Sequence, residues 1–245
     1  MRSKGRGQSP KSEVRSLNRE QPRKTRDTRK ENRFTKSSVA NAFTRTELLV
    51  VIGIIALLAA LFLPALARAK ARAQWMRCTS NLKIAGVSFN TWALDHHNAY
   101  PMSVPGTNGG SMEAVAAGEV FLHFQAISNE LATPWTLVCP ADARTRATNF
   151  GPGFSNTNIS YFVGLDAQDT MPQMFLTGDR NLTNGPLLPN RILVLNTNSP
   201  VGWAAGMHNG MGNVGLADGS VQGFSTTRLQ EALLYSGGTN RLAMP

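Results

Sequence analysis

The sequence predicts an α+β protein in which a long N-terminal membrane-spanning α-helix runs on into a second half that packs against a small antiparallel β-sheet head. Three observations predict it. Residues 48–67 (LLVVIGIIALLAALFLPALA) carry no charge. Directly behind them a one-sided apolar stripe repeats at helical spacing. From Pro101 onward the chain is rich in Gly, Asn, Thr and Pro, with short apolar runs between turn residues.

The 245 residues are 42% hydrophobic, enough to build a core of ordinary size. The formal charge of +10 is lopsided: residues 1–42 hold 13 Lys+Arg against 4 Asp+Glu, leaving +1 for residues 43–245. This basic leader has almost no large apolar side chains to offset the entropy of ordering, so it is predicted to be disordered. Only Phe34 interrupts its charges, and without interleaved aromatic residues for base stacking no nucleic-acid partner is expected.

Residues 43–67 are predicted to form the membrane span. Twenty uncharged residues at about 1.5 Å each cover roughly 30 Å, the thickness of a bilayer's hydrocarbon core. The Val, Ile and Leu go all the way round, unlike a soluble amphipathic helix. The cationic excess ahead of the span predicts a cytoplasmic N-terminus. Pro64 removes one backbone hydrogen bond and predicts a kink near Ala60–Pro64, with helix continuing beyond it.

Over residues 68–98 the helix is expected to continue outside the membrane. Trp75, Cys78, Leu82, Ala85, Phe89 and Trp92 recur at intervals of three and four, drawing one stripe, while Arg72, Arg77 and Lys83 fall off it. The stripe needs a partner surface. The helix should stop near Asp95-His96-His97-Asn98, ahead of Tyr100-Pro101.

Residues 99–245 are predicted to be the globular head. Strands are expected at 135–138, 159–163, 191–195 and 213–217. The last should pair with 220–224 through a two-residue Asp218-Gly219 turn, since Asp-Gly suits a turn needing positive φ at both central residues. A closing helix is expected over 227–234, ended by Gly237-Gly238.

At the border of leader and span the chain reads Ala42-Phe43-Thr44-Arg45-Thr46-Glu47-Leu48. This resembles the N-terminal signature of type IV pilins and type II secretion pseudopilins, in which a basic leader is cut just before a Phe. Counted from Phe43, Glu47 is fifth and Pro64 twenty-second, as in that pattern. Ala42 stands where the family usually has Gly, and Arg45 and Thr46 stand at positions normally apolar. Ser80-Asn81-Leu82-Lys83, Cys139-Pro140-Ala141-Asp142, Gly178-Asp179-Arg180-Asn181 and His208…Asn213…Ala217-Asp218-Gly219-Ser220-Val221 resemble segments of a large bacterial group of pseudopilin-like proteins.

The resemblance implies a structural subunit of a type II secretion or type IV pilus-like filament, anchored in the inner membrane with its head in the periplasm. A prepilin peptidase and methyltransferase would process Ala42 and Phe43. Glu47 and Pro64 would serve assembly. The implied partners are that enzyme, other pseudopilin subunits, the inner-membrane secretion platform and lipid. The alternative is a secreted protein cut after Ala67, since Ala65-Leu66-Ala67 is a small-x-small site, or an uncut single-pass protein of other function.

No enzymatic activity is expected. The four histidines assemble no nucleophile arrangement, and adjacent His96 and His97 diverge rather than share a metal. His208 and Asp218 flank the predicted hairpin and are candidates for a cation such as calcium, against turn stabilisation by Asp218 and a surface His208. Cys78 and Cys139 are expected either to form a disulfide, because Cys78 lies on the buried stripe and the head faces an oxidising compartment, or to remain two buried thiols.

Overall fold

The structure, a computed structural model, describes residues 43–185 and 187–245. The expectations for the leader, and for Ala42, lie outside the described residues.

Helix α1 spans Arg45–Leu94, about 75 Å at helical rise, with Pro64 inside it. Its start is a capping box that the sequence reading overlooked. Thr44 accepts from the Glu47 N–H through Oγ1 at 3.2 Å, and Glu47 Oε2 accepts in return from the Thr44 N–H at 2.9 Å and its hydroxyl at 2.7 Å. Along the first half every large apolar side chain is exposed, from Leu48 and Leu49 through Phe62 and Leu66. This stretch is long and apolar enough to cross a membrane. Along the second half the predicted stripe is buried at Cys78, Leu82, Ala85, Phe89 and Trp92, with Trp75 half-buried. The helix ends at Leu94, and residues 95–98 turn, as the sequence predicts.

Residues 101–131 carry structure that the Gly/Pro-rich reading missed: three short helices, α2 (Ala114–Ala117), α3 (Val120–Ala126) and α4 (Ser128–Leu131). The strand expected at 135–138 is instead a 3-10 turn, Pro134–Leu137. Pro134 has no N–H to give a ladder, and the Thr133 hydroxyl accepts from the Trp135 N–H, so both local signals favour a turn start over a strand.

The sheet follows. Its strands are β1 (Tyr161–Gly164), β2 (Phe175–Asp179), β4 (Ile192–Leu195), β6 (Met211–Leu216), β7 (Val221–Ser225) and β8 (Asn240–Ala243). A separate small pair joins β3 (Leu182–Thr183) to β5 (Gly202–Trp203). Helix α5 (Thr226–Tyr235), capped by the Ser225 hydroxyl, lies between β7 and β8 in the chain. The order across the six-stranded sheet is β4-β8-β1-β2-β6-β7, and every pairing is antiparallel.

Successive strand residues point to opposite faces, and both faces are covered. Tyr161, Val163, Leu176, Ile192 and Ala243 pack with the α1 stripe. Phe162, Phe175, Leu193, Val214 and Leu242 face the other way, onto Leu229 and Leu233 of α5. The result is an α+β head of three layers, helix on sheet on helix. Each fully buried Leu or Phe contributes about 1.5–3 kcal/mol.

The hairpin joining β6 to β7 is present, but its turn has three residues rather than two. Gly219 N–H donates to Leu216 O and Leu216 N–H to Ser220 O, enclosing Ala217-Asp218-Gly219. Only Gly219 has positive φ, at 76°. A right-handed turn closed by one left-handed glycine needs nothing special of Asp218, which is why it competes with the two-residue form.

Candidate functional site

The seam between α1 and the sheet gathers most of the segments singled out in the sequence. Cys78, the first buried residue of the stripe, is disulfide-bonded to Cys139, with Cα atoms 5.2 Å apart. Beside the bridge lies the His208 ring, its Nε2 3.3 Å from Cys139 Sγ and 3.5 Å from Asp179 Oδ2. Trp75 closes the group from the helix side, its ring meeting that of His208 edge-on at 5.0 Å.

Each member is placed by local structure. Asp179 ends β2. His208 opens a run of three positive φ angles, 51° at His208, 53° at Asn209 and 76° at Gly210, that reverses the chain just before β6. Left-handed backbone is costly for a non-glycine residue, so its occurrence at His208 is held in place by the packing around the ring. Gly223 of β7 leaves room for Trp75, since a Cβ there would lie 2.5 Å from Trp75 Cζ2.

The sequence offered two readings, a cation shared by His208 and Asp218, or a surface His208 beside a turn held by Asp218. The structure buries His208 and pairs it with Asp179. The His208 side chain is 2% exposed and that of Asp179 is fully buried. Asp218 is exposed, and its Oδ1 accepts from the Ser220 N–H at 2.7 Å, the turn-stabilising role considered for it. The two flank the same hairpin in sequence, yet β6 carries the chain away from His208 before Asp218 is reached.

Burial governs the charges here. It pushes the Asp179 carboxyl up to about 7, while two hydrogen bonds from Asn213, N–H at 2.7 Å and Nδ2 at 3.0 Å, pull the other way. Burial likewise lowers the His208 pKa, favouring the neutral imidazole. Asp179 Oδ1 has no hydrogen-bond partner. Nearby, burial would raise the Asp142 pKa, but the bidentate grip of Arg180, at 2.7 and 2.8 Å, holds it below the ordinary carboxylate value.

Polar side chains of α1 pin the seam as well. Thr79 Oγ1 lies 3.1 Å from both Asn213 Oδ1 and Trp75 O. Lys83 donates to Gly219 O and Asn90 to Ala217 O, so the hairpin turn is tied to the helix. Sequence reasoning missed Asp179 as the neighbour of His208 and Asn213 as the donor to Asp179, although both lie in segments quoted above.

Elsewhere, His96 stacks on Trp92 with ring centroids 3.5 Å apart, and His97 is exposed, so the two diverge as expected. Phe43 is exposed, and Glu47 is engaged in the helix cap. No protein-family profile, curated protein or solved structure matches the chain at a meaningful level of similarity.

Proposed function

We propose that the chain is a pseudopilin-like structural subunit of a type II secretion or type IV pilus-like filament. The observation that carries this reading is the division of labour along α1. Its first half offers a wholly exposed apolar surface headed by a single carboxylate, and its second half is built into the head by a stripe, a disulfide and three polar pins. A helix meant only as an anchor needs no such continuity with a core. A subunit that must leave the bilayer together with its head does. Exposed apolar helices stacked by heterologous contacts give open filaments.

In this reading a prepilin peptidase cuts between Ala42 and Phe43 on the cytoplasmic face of the inner membrane, and the new amino group is methylated. The head stands in the periplasm, and the part played is mechanical rather than catalytic. Glu47 meets the new amino group of a neighbouring subunit, an attraction strengthened in a low-dielectric setting. The test is mass spectrometry of the chain recovered from bacterial membranes. A mature N-terminus at N-methylated Phe43 is expected. Arg68 as first residue, or an intact leader, would overturn the reading.

A further inference from the structure

Cys78, Cys139, Asp179 and His208 each bring one metal-ligating atom to a common point, all four atoms lying within 4.8 Å of one another. They come from four separate places in the chain: the second half of α1, the loop after the 3-10 turn, the end of β2 and the left-handed run before β6. Both cysteines and Asp179 are fully buried, and the His208 side chain nearly so. Asp179 meets His208 with Oδ2, which Asn213 also holds, and leaves Oδ1 buried without a partner, whereas a carboxylate oxygen in an apolar seam ordinarily has a donor or a cation.

The donor set decides which cation fits. Calcium takes six to eight oxygen ligands, and this cluster offers one carboxylate. Two sulfurs, one imidazole and one carboxylate suit zinc, which binds such ligands tetrahedrally. With Zn–S about 2.3 Å and Zn–N and Zn–O about 2.1 Å, the edges between ligand atoms run from roughly 3.4 Å for N–O to roughly 3.8 Å for S–S. The observed S–N and N–O edges are 3.3 and 3.5 Å. Both edges lie within about 0.3 Å of tetrahedral values, all four atoms stay within 4.8 Å of one another, and the two sulfurs, bonded to each other in this structure, must separate before a metal enters. A cleft of about 370 Å³ lined by Ala71, Gln74, Pro140, Asp142 and His208 opens to solvent beside the cluster and meets it at His208.

We infer that Cys78, Cys139, Asp179 and His208 form a zinc site in the dithiol form of the chain, an alternative to the disulfide. The two forms exclude each other, because a disulfide sulfur has no thiolate to give. A dithiol reductant, small molecule or protein, supplies two electrons and two protons to the Cys78–Cys139 bond and leaves as its own cyclic disulfide. Zinc then takes the place of the two thiol protons, which go to solvent. Either form ties α1 to the head, so the helix stays clamped whether the compartment is oxidising or reducing.

The full chain in detergent, reduced with a phosphine and stripped by a chelator, is titrated with cobalt(II) and with zinc chloride. One cobalt per chain is expected, with a thiolate-to-metal charge-transfer band. Zinc should shield both cysteines from alkylation, and the oxidised chain should do neither. His208→Ala and Asp179→Asn should each weaken binding by about 100-fold or more, at or above the top of the range seen for residues one shell further out. Should those variants fail to fold, X-ray absorption on the zinc-loaded wild-type chain decides, with two sulfur and two nitrogen or oxygen neighbours expected. No binding by the reduced chain, equal binding by the oxidised chain, unchanged affinity in a folded variant, or any other neighbour count overturns the site.

Discussion

His123 makes the head's stability sensitive to mild acid. It sits on α3 with no exposed surface, its Nδ1 2.7 Å from Ser111 Oγ and its Nε2 without a hydrogen-bond partner. Protonation would put a second N–H and a full charge where nothing can receive them, and burial accordingly lowers its pKa to about 4. The unfolded chain titrates near 6.5, so between those values it binds more protons than the folded one, and stability falls as the pH falls. The full gap is worth about 3 kcal/mol, of which about 2 kcal/mol is lost by pH 5. For a chain of this size that lowers the melting midpoint by roughly 4–8 °C. The assay is thermal melting by circular dichroism at pH 7 and pH 5, comparing the wild type with His123→Gln. Glutamine keeps a partner for Ser111 but cannot titrate. The variant should lose about 2 kcal/mol less than the wild type over that interval. Equal losses in the two proteins would refute the argument, because every other titrating group is common to both.

Three further outcomes are expected. Reducing the Cys78–Cys139 bridge in the presence of a chelator should destabilise the head by about 4 kcal/mol, the loop-closure entropy for a 61-residue separation. Denaturant midpoints with and without reductant would check this, and identical midpoints would contradict it. A chain beginning at Arg68 should be soluble and melt cooperatively, since the buried stripe begins beyond that point. Aggregation of the purified protein would argue that the apolar half belongs to the core. Finally, Glu47→Gln keeps an oxygen for the Thr44 N–H and so retains much of the cap, whereas Glu47→Ala removes cap and charge together. If Glu47 acts through its charge, both should impair crosslinking into assemblies with processing intact. Normal assembly by Glu47→Gln would reduce its role to helix capping.

What was legible in the sequence follows from which signals are local. The uncharged run and the stripe from Trp75 to Trp92 repeat with the helical period, so they give α1 and its buried face. The hairpin, too, is announced by the strands around Asp218-Gly219, although its turn length depends on one hydrogen bond more than a dipeptide reveals. Strand β8 was not legible: Asn240-Arg241-Leu242-Ala243 is too short and polar to advertise itself, and it is a strand because β4 and β1 lie on either side. Helices α2 to α4 hid among glycines and prolines that also end helices. For the candidate site the failure was one of distance. His208 and Asp179 are 29 positions apart and meet only because β2 and β6 are neighbours in the sheet, whereas His208 and Asp218, close in sequence, are separated by the strand between them.

The position of β8 has a consequence for how the head is made. Strands β4 and β1 do not pair with each other; each is joined to residues 240–243. The sheet therefore cannot close in order of synthesis, and β4, joined before then only by a bridge from Leu187 to Leu193, waits for its strand partner until residues 240–243 have been delivered. If the head is delivered across a membrane, as proposed above, it finishes folding on the far side, after its last strand has been threaded through. Until then its aggregation-prone edges are open to any chaperone or protease that meets them first.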